Sequence, residues 1–231
     1  MVVLNLTHFA FAASLLTSAF AAPVENITAE ITDRDAPDFD IGPHSLFARQ
    51  DYNQNYKTSG TVNVSPTGNG YSVSFSGAQD FVVGKGWSTG SYTRAVTFSG
   101  STSASAGTVL VSLYGWSQNP LIEYYVQEWS NGQGAAQGTY LGNYYTDGAY
   151  YNVYKHTQYN QPSIVGTATF DQYISVRQSP RPNGGTITFG NHVYGWQQFG
   201  LKLGQLNYQT ISTEGWGNAQ GYSQYTVSGS G

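Results

Sequence analysis

Most of this chain is a succession of short alternating runs, each stopped by glycine, asparagine or serine. In Tyr71-Ser-Val-Ser-Phe75 large and small residues alternate strictly, with Gly68-Asn69-Gly70 before and Ser76-Gly77 after. A period of two puts successive side chains on opposite faces of a strand, so only a sheet with one buried face can use it. Similar runs recur at 93–98, 108–114, 120–127, 150–154, 163–170, 172–177, 206–214 and 222–228. Short strands with turn signals between them predict an all-β antiparallel sandwich or jelly roll. One segment, 191–199, reads as helix. Val193 and Trp196 recur at i, i+3, and Gly200 is the stop signal.

The first 49 residues do not share this pattern. An apolar stretch over 9–20 ends in Ala19-Phe20-Ala21, the small-x-small form of a signal-peptide cleavage site. At about 12 apolar residues it is too short to span a bilayer. Residues 1–21 are therefore read as a signal peptide, and the chain as secreted and extracellular. Residues 22–49 hold six of the 13 acids together with Pro23, Pro37 and Pro43, without periodicity. They read as a propeptide cut after Arg49, leaving 50–231 as one domain.

That domain keeps seven acids and seven of the nine bases, so its formal charge is near zero. No basic patch appears, which argues against nucleic-acid and anionic-membrane partners. With no cysteine anywhere, the fold must hold together by its core alone, and cysteine-based metal sites are excluded. Nineteen tyrosines bring the aromatic content to 15%. A ring with a polar tip suits sugars, which offer C–H faces and hydroxyls. It equally suits an ordinary β-sheet.

Against this uncharged background two glutamates stand out. Glu123 lies in Asn119-Pro-Leu-Ile-Glu-Tyr-Tyr-Val126, and Glu214 in Gln209-Thr-Ile-Ser-Thr-Glu-Gly-Trp216. A lone charge inside a strand is disfavoured. Alternation puts Glu123 with Leu121, Tyr125 and Gln127, and Glu214 with Tyr208, Thr210 and Ser212. Tyr114 and Trp116 would point the same way. Such polar faces fit the floor of a wet groove, where two carboxyl groups could serve as a glycosidase pair. The pattern also fits two surface charges on outer strands.

The chain resembles the glycoside hydrolase family 11 endo-β-1,4-xylanases. The matching segments are Asp80-Phe-Val-Val-Gly-Lys-Gly-Trp87, Tyr114-Gly-Trp-Ser-Gln-Asn-Pro-Leu-Ile-Glu-Tyr-Tyr125, Asn160-Gln-Pro-Ser-Ile-Val-Gly-Thr-Ala-Thr-Phe170 and Thr213-Glu-Gly-Trp216. They occur in family order and span about 60–228. The resemblance implies a β-jelly roll of two curled antiparallel sheets around a deep cleft, with one short helix behind and a hairpin thumb above. It implies a xylan polysaccharide substrate, no cofactor or metal, and a monomer. Residue by residue, Glu123 takes the nucleophile position and Glu214 the acid/base position of a retaining enzyme. Tyr114, Tyr125, Gln172 and Tyr208 fall on sugar-binding positions, and Pro162, Ser163 and Ile164 on the thumb tip. Asp80 takes the position that hydrogen-bonds the acid/base and sets its pKa, with Asp there accompanying an acidic optimum. His156 and His192 are read as structural.

Several family residues differ. Where the family has a stacking Trp on an early strand, this chain reads Asn53-Gln-Asn-Tyr-Lys57. Leu110, Gln158 and Ile174 replace a Tyr, an Arg and a Trp. The thinner aromatic shell leaves an alternative open: a secreted glycan- or host-binding protein on the same fold with little catalytic activity.

Overall fold

The computed structural model describes residues 50–230. The expected signal peptide and propeptide lie outside the described residues. In chain order the elements are β1 (Tyr52–Lys57), β2 (Thr61–Pro66), β3 (Gly70–Trp87), β4 (Ala95–Gln118), β5 (Ile122–Ser130), β6 (Thr139–Thr146), β7 (Ala149–Ser163), β8 (Gly166–Arg177), β9 (Gly184–Thr188), α1 (Phe189–Gln198) and β10 (Gln205–Ser230).

The strands hydrogen-bond in the order β1-β3-β10-β4-β5-β8-β7-β6, with β2 added on β3 and β9 on β4. Three of them, β3, β4 and β10, are 18, 24 and 26 residues long. They belong to both layers of the jelly roll. Their first or last halves make one layer with β2 and β9; their other halves make the second layer with β1, β5, β8, β7 and β6. The bend between the layers falls at one level across all three. Gly77, Gly107 and the Gly217-Asn218 pair have positive φ, and the ladder registers shift beside them. An inserted residue bends a strand without ending it. That is why runs such as 206–214 and 222–228 read as separate strands in the sequence but are one strand, β10, in the fold. In β4 the bend also switches parity: Val96 and Phe98 face the core before it, Val109, Val111 and Leu113 after it.

The main core lies between the layers. Tyr71, Val73, Phe98 and Tyr225 from one layer meet Phe81, Val111, Leu113 and Ile211 from the other. Each fully buried large apolar side chain contributes roughly 1.5–3 kcal/mol, the resource available to a domain without disulfides. Helix α1 covers the back: Phe189 and Trp196 pack on Tyr124, and Trp196 on Tyr173. The helix begins two residues before the expected start. Its end is a Schellman turn, with Gly200 (φ +74°) donating to Gln197 O and Leu201 to Trp196 O.

Two expectations need correction. The sheet is not wholly antiparallel: β5 and β8 run parallel, with Glu123 opposite Gln172 and Tyr125 opposite Ile174. The crossover through β6 and β7 permits this, because a parallel pair needs a long connection. The segment 163–170 is not one strand either. Residues 163–166 turn, and β8 then runs unbroken through Asp171.

Candidate active site

The second layer is concave, and a smaller apolar cluster made of Val82, Leu110, Tyr114, Trp116, Tyr125 and Ile174, among others, floors its open face. These are even-numbered residues of β3, β4 and β8 and, on β5, the odd-numbered Tyr125, all on the face opposite the main core. A cavity of about 370 Å³ opens there, and both Glu123 and Glu214 line it. The registers place them two strands apart, Glu123 opposite Trp116 and Glu214 opposite Leu110 on β4. Only the curl of the sheet brings their carboxyl groups into one space.

Glu123 is 7% exposed and fully hydrogen-bonded. The Tyr114 and Tyr125 hydroxyls donate to Oε1 at 2.7 and 3.0 Å, and Gln172 Nε2 donates to Oε2 at 2.7 Å. Trp116 Nε1 in turn donates to the Tyr114 hydroxyl at 2.8 Å. That orients the phenol so that its own hydrogen points at the carboxylate. Burial raises the Glu123 pKa, and the three donors pull it back. Tyr114 and Tyr125 are held well above the ordinary phenol value by burial and by the Glu123 charge, so they remain donors.

Glu214 has the opposite environment. Its Oε2 is buried without a hydrogen-bond partner. Burial, then the Glu123 charge, then Asp80 push its pKa well above the carboxylate range. The Tyr125 hydroxyl offsets part of this. One carboxyl is therefore surrounded by donors that favour its ionised form, while its neighbour is set up to keep its proton. Two carboxyls with pKa values pushed apart are the arrangement of an acid beside a base or nucleophile.

Asp80 is on the same face, one ladder step from Glu214: it pairs with Trp216, and Glu214 with Val82. Burial raises its pKa, and a hydrogen bond from Tyr56 lowers it. The Asp80 charge in turn raises the Glu214 pKa.

The hairpin β7–β8 overhangs the cavity, and Gln161, Pro162, Ser163 and Ile164 line it. Asn160 (φ +53°) and a register shift between Gln158 and Gln161 bend the hairpin. At the tip, Ser163 Oγ donates to Gly166 O at 2.5 Å and accepts from Val165 N at 3.2 Å. Gly166 has φ +94°, where a side chain would be strained. Trp116 meets Phe170 edge-on at 4.7 Å beneath the hairpin.

Every residue singled out in the sequence for the site, Tyr114, Glu123, Tyr125, Pro162, Ser163, Ile164, Gln172, Tyr208, Glu214 and Asp80, lines this one cavity. Sequence reasoning missed Tyr52 and Gln54. Tyr52 stacks on Tyr208 with centroids 4.6 Å apart and planes at 17°, and its hydroxyl donates to Gln54 Oε1 at 3.1 Å. Their signal was the parity of Tyr52, Gln54 and Tyr56, visible only once β1 is recognised as a strand although it has no apolar residue besides its two tyrosines.

A family model described as "Glycosyl hydrolases family 11" matches residues 48–226. Endo-1,4-beta-xylanase 1 of Hypocrea jecorina is 49% identical over 197 residues, which cover 84% of this chain and 85% of that protein. Ethylene-inducing xylanase 2 of Botryotinia fuckeliana is 48% identical over 181 residues, 78% of this chain and 80% of that one. A solved structure from a comparison of two major endo-1,4-β-xylanases of Trichoderma reesei superposes with a TM-score of 0.74 at 50% identity, covering 78% of this chain and 99% of its own. With the family model spanning nearly all the described residues and relatives at this identity over most of their length, the chain belongs to glycosyl hydrolase family 11.

Proposed function

We propose that this protein is a secreted endo-β-1,4-xylanase that cleaves xylan with retention, Glu123 acting as nucleophile and Glu214 as acid/base. The observation that carries the assignment of roles is the contrast between the two carboxyls. Glu123 accepts three hydrogen bonds, whereas Glu214 has a buried Oε2 with none. In the first step Glu123 attacks the anomeric carbon, the glycosidic C–O bond breaks, and Glu214 gives its proton to the departing oxygen. As Glu214 loses its proton, Glu123 loses its charge to the new ester, so the two carboxyls never both carry a full charge. In the second step Glu214 takes a proton from water, whose oxygen displaces Glu123. The two inversions restore the original anomeric configuration.

Reducing-sugar release from xylan, compared with cellulose, tests the substrate. Glu123→Gln and Glu214→Gln should each lower kcat by several orders of magnitude while far-UV and near-UV spectra stay unchanged. Azide tests the roles separately. With an activated aryl xyloside it should rescue Glu214→Ala as a β-glycosyl azide and Glu123→Ala as an α-glycosyl azide. Near-normal rates in both Gln variants would end the assignment. Binding of xylan without turnover by the unmodified protein would instead favour a glycan-binding role. A mature N-terminus at Gln50 in protein recovered from culture medium would support the processing read from residues 1–49.

A further inference from the structure

The cleft face does not end beside the carboxyls. A second cavity of about 230 Å³ shares Asp80, Tyr125, Gln158, Gln172 and Glu214 with the first but touches no residue of β1. Ile174, Trp216 and, from the β5–β6 connection, Ala135 and Gln137 also line it. From there the ladder registers carry the face outward. Across β8 and β7, Gln172 pairs with His156, Ile174 with Tyr154, and Val176 with Asn152. Across β7 and β6, Tyr154 pairs with Tyr140, Asn152 with Asn143, and Tyr150 with Tyr145. Directly opposed residues share a face, so the face that floors the cleft continues to the last strand of the sheet, beyond the β5–β6 connection whose Ala135 and Gln137 line the second cavity.

The chemistry of this outer strip is unusual for an edge. It holds two cross-strand tyrosine pairs, Tyr140–Tyr154 with centroids 5.5 Å apart and Tyr145–Tyr150 at 5.1 Å. Tyr140 and Tyr150 are 48% and 40% exposed. Between the pairs lie amides: Gln178 Nε2 donates to Asn152 Oδ1 at 2.7 Å, and Asn143 Nδ2 to the Tyr140 hydroxyl at 3.3 Å. None of these strip residues is Asp, Glu, Lys or Arg. Exposed edges are ordinarily protected by charge. The core does not explain the rings either, because the same strands bury Tyr144, Tyr151 and Val153 on their other face. A strip without Lys or Arg offers no cation to the phosphates of a nucleic acid or the carboxylates of an acidic peptide. It matches a neutral polyhydroxylated chain, whose C–H faces stack on rings and whose hydroxyls pair with amides.

We propose that this strip is an outer binding surface that holds the part of a xylan chain extending beyond the second cavity, on the Glu214 side of the cleft. The proposal rests on the xylanase reading and adds a length requirement to it. Tyr154 and Tyr150 are four residues apart on β7, about 13 Å, so only a chain longer than one filling the two cavities gains these contacts.

The test is a Tyr140→Ala/Tyr150→Ala variant assayed on polymeric xylan and on a short xylo-oligosaccharide. The ratio of the two kcat/KM values, polymer over short substrate, should fall about five- to tenfold, the size expected for lost ring stacking. Tyr140→Phe/Tyr150→Phe keeps the rings and should keep most of the ratio. An equal loss on both substrates would mark a structural role, and an unchanged ratio would remove the strip from binding; either overturns the proposal. Should the double alanine variant fail to fold, single Tyr150→Ala gives the same comparison. A second arm reads binding without turnover. In a Glu123→Gln background, retardation in a gel containing soluble xylan should weaken with the alanine pair. Inactivity of the unmodified protein would sink the xylanase reading, while this arm would still decide whether the strip binds the polymer. Sedimentation provides the remaining outcome: a dimer that the alanine pair converts to monomer would assign the strip to self-association and overturn the proposal.

Discussion

His156 Nδ1 lies 2.8 Å from Gln172 Oε1, and the other end of the same amide donates to Glu123 Oε2 at 2.7 Å. An amide oxygen only accepts, so the His156 Nδ1 carries the hydrogen. The ring therefore decides which end of Gln172 faces the carboxylate. A flipped amide would present oxygen to Glu123 and turn an attraction into a repulsion. The sequence reading of His156 as structural needs this refinement: it touches no carboxyl, but it orients the group that does.

His156→Ala should lower kcat about tenfold, the equivalent of one oriented hydrogen bond, with a smaller change in KM. Gln158 Nε2, 3.4 Å from the same oxygen, is too distant to substitute fully. His156→Asn retains a donor near the Nδ1 position and should recover most of the rate. Steady-state kinetics on a soluble xylan checks both, and equal rates for all three proteins would remove His156 from the site.

Asp80 governs a pH prediction. Its carboxyl is raised by burial and, when ionised, raises Glu214 further. A general acid with too high a pKa gives up its proton poorly. Activity should therefore be greatest in acid, where Asp80 is neutral, and decline as pH rises through its pKa. Asp80→Asn is neutral at every pH, so the decline on the alkaline side should move upward by about one unit. Profiles of kcat/KM against pH for the two proteins provide the check, and superimposable curves would show that Asp80 does not control the acid.

Glu214 should carry a stability cost with a definite pH sign. Its folded pKa lies well above the unfolded value near 4.5. The folded protein therefore holds a proton that the unfolded chain releases. The resulting stabilisation is complete below about pH 4.5 and disappears as pH rises through the folded pKa, by about 1.4 kcal/mol per unit. Glu214→Gln has no such titration. Its Tm relative to the unmodified protein should be several degrees more favourable at pH 7 than at pH 4. A Tm difference independent of pH would mean that Glu214 is not held protonated in the fold.

Behind the cleft, Glu128 is completely buried. It is held by a salt bridge from Arg181 Nε, by the Tyr151 hydroxyl at 2.8 Å, and by Arg177 Nε at 3.9 Å. Arg181→Leu would leave that carboxylate with only the distant Arg177 as a charge partner. The expected loss is about 3 kcal/mol, or roughly 6–12 °C in Tm, with little change in KM. Thermal unfolding at pH 7 checks it, and a loss under 1 °C would mean that Arg177 suffices.

Local pattern accounts for much of what was legible in advance. Alternation in 71–75 put Tyr71, Val73 and Phe75 on one face, and all three are in the core. The segments around Glu123 and Glu214 carried both carboxyls and their faces. Gly200 marked the helix end. Each of these depends on residues within one turn or a few strand positions, which is the range over which side-chain periodicity is set.

What the sequence could not show is whatever depends on how distant strands meet. Glycines at 77, 107 and 217 read as strand ends, yet in the fold they are bends, because neighbouring ladders continue across them. The parallel alignment of β5 with β8, which sets Gln172 beside Glu123, depends on a crossover of more than thirty residues. The partners of Glu128 and the stacking of Tyr52 on Tyr208 likewise join residues 53 and 156 positions apart. Sequence alone determined which chemical groups exist and which way each faces along its own strand. Only the tertiary structure decided their separations, because the curl of the sheet brings together carboxyls that their registers alone would leave far apart. Burial then makes the charge of one raise the pKa of the other.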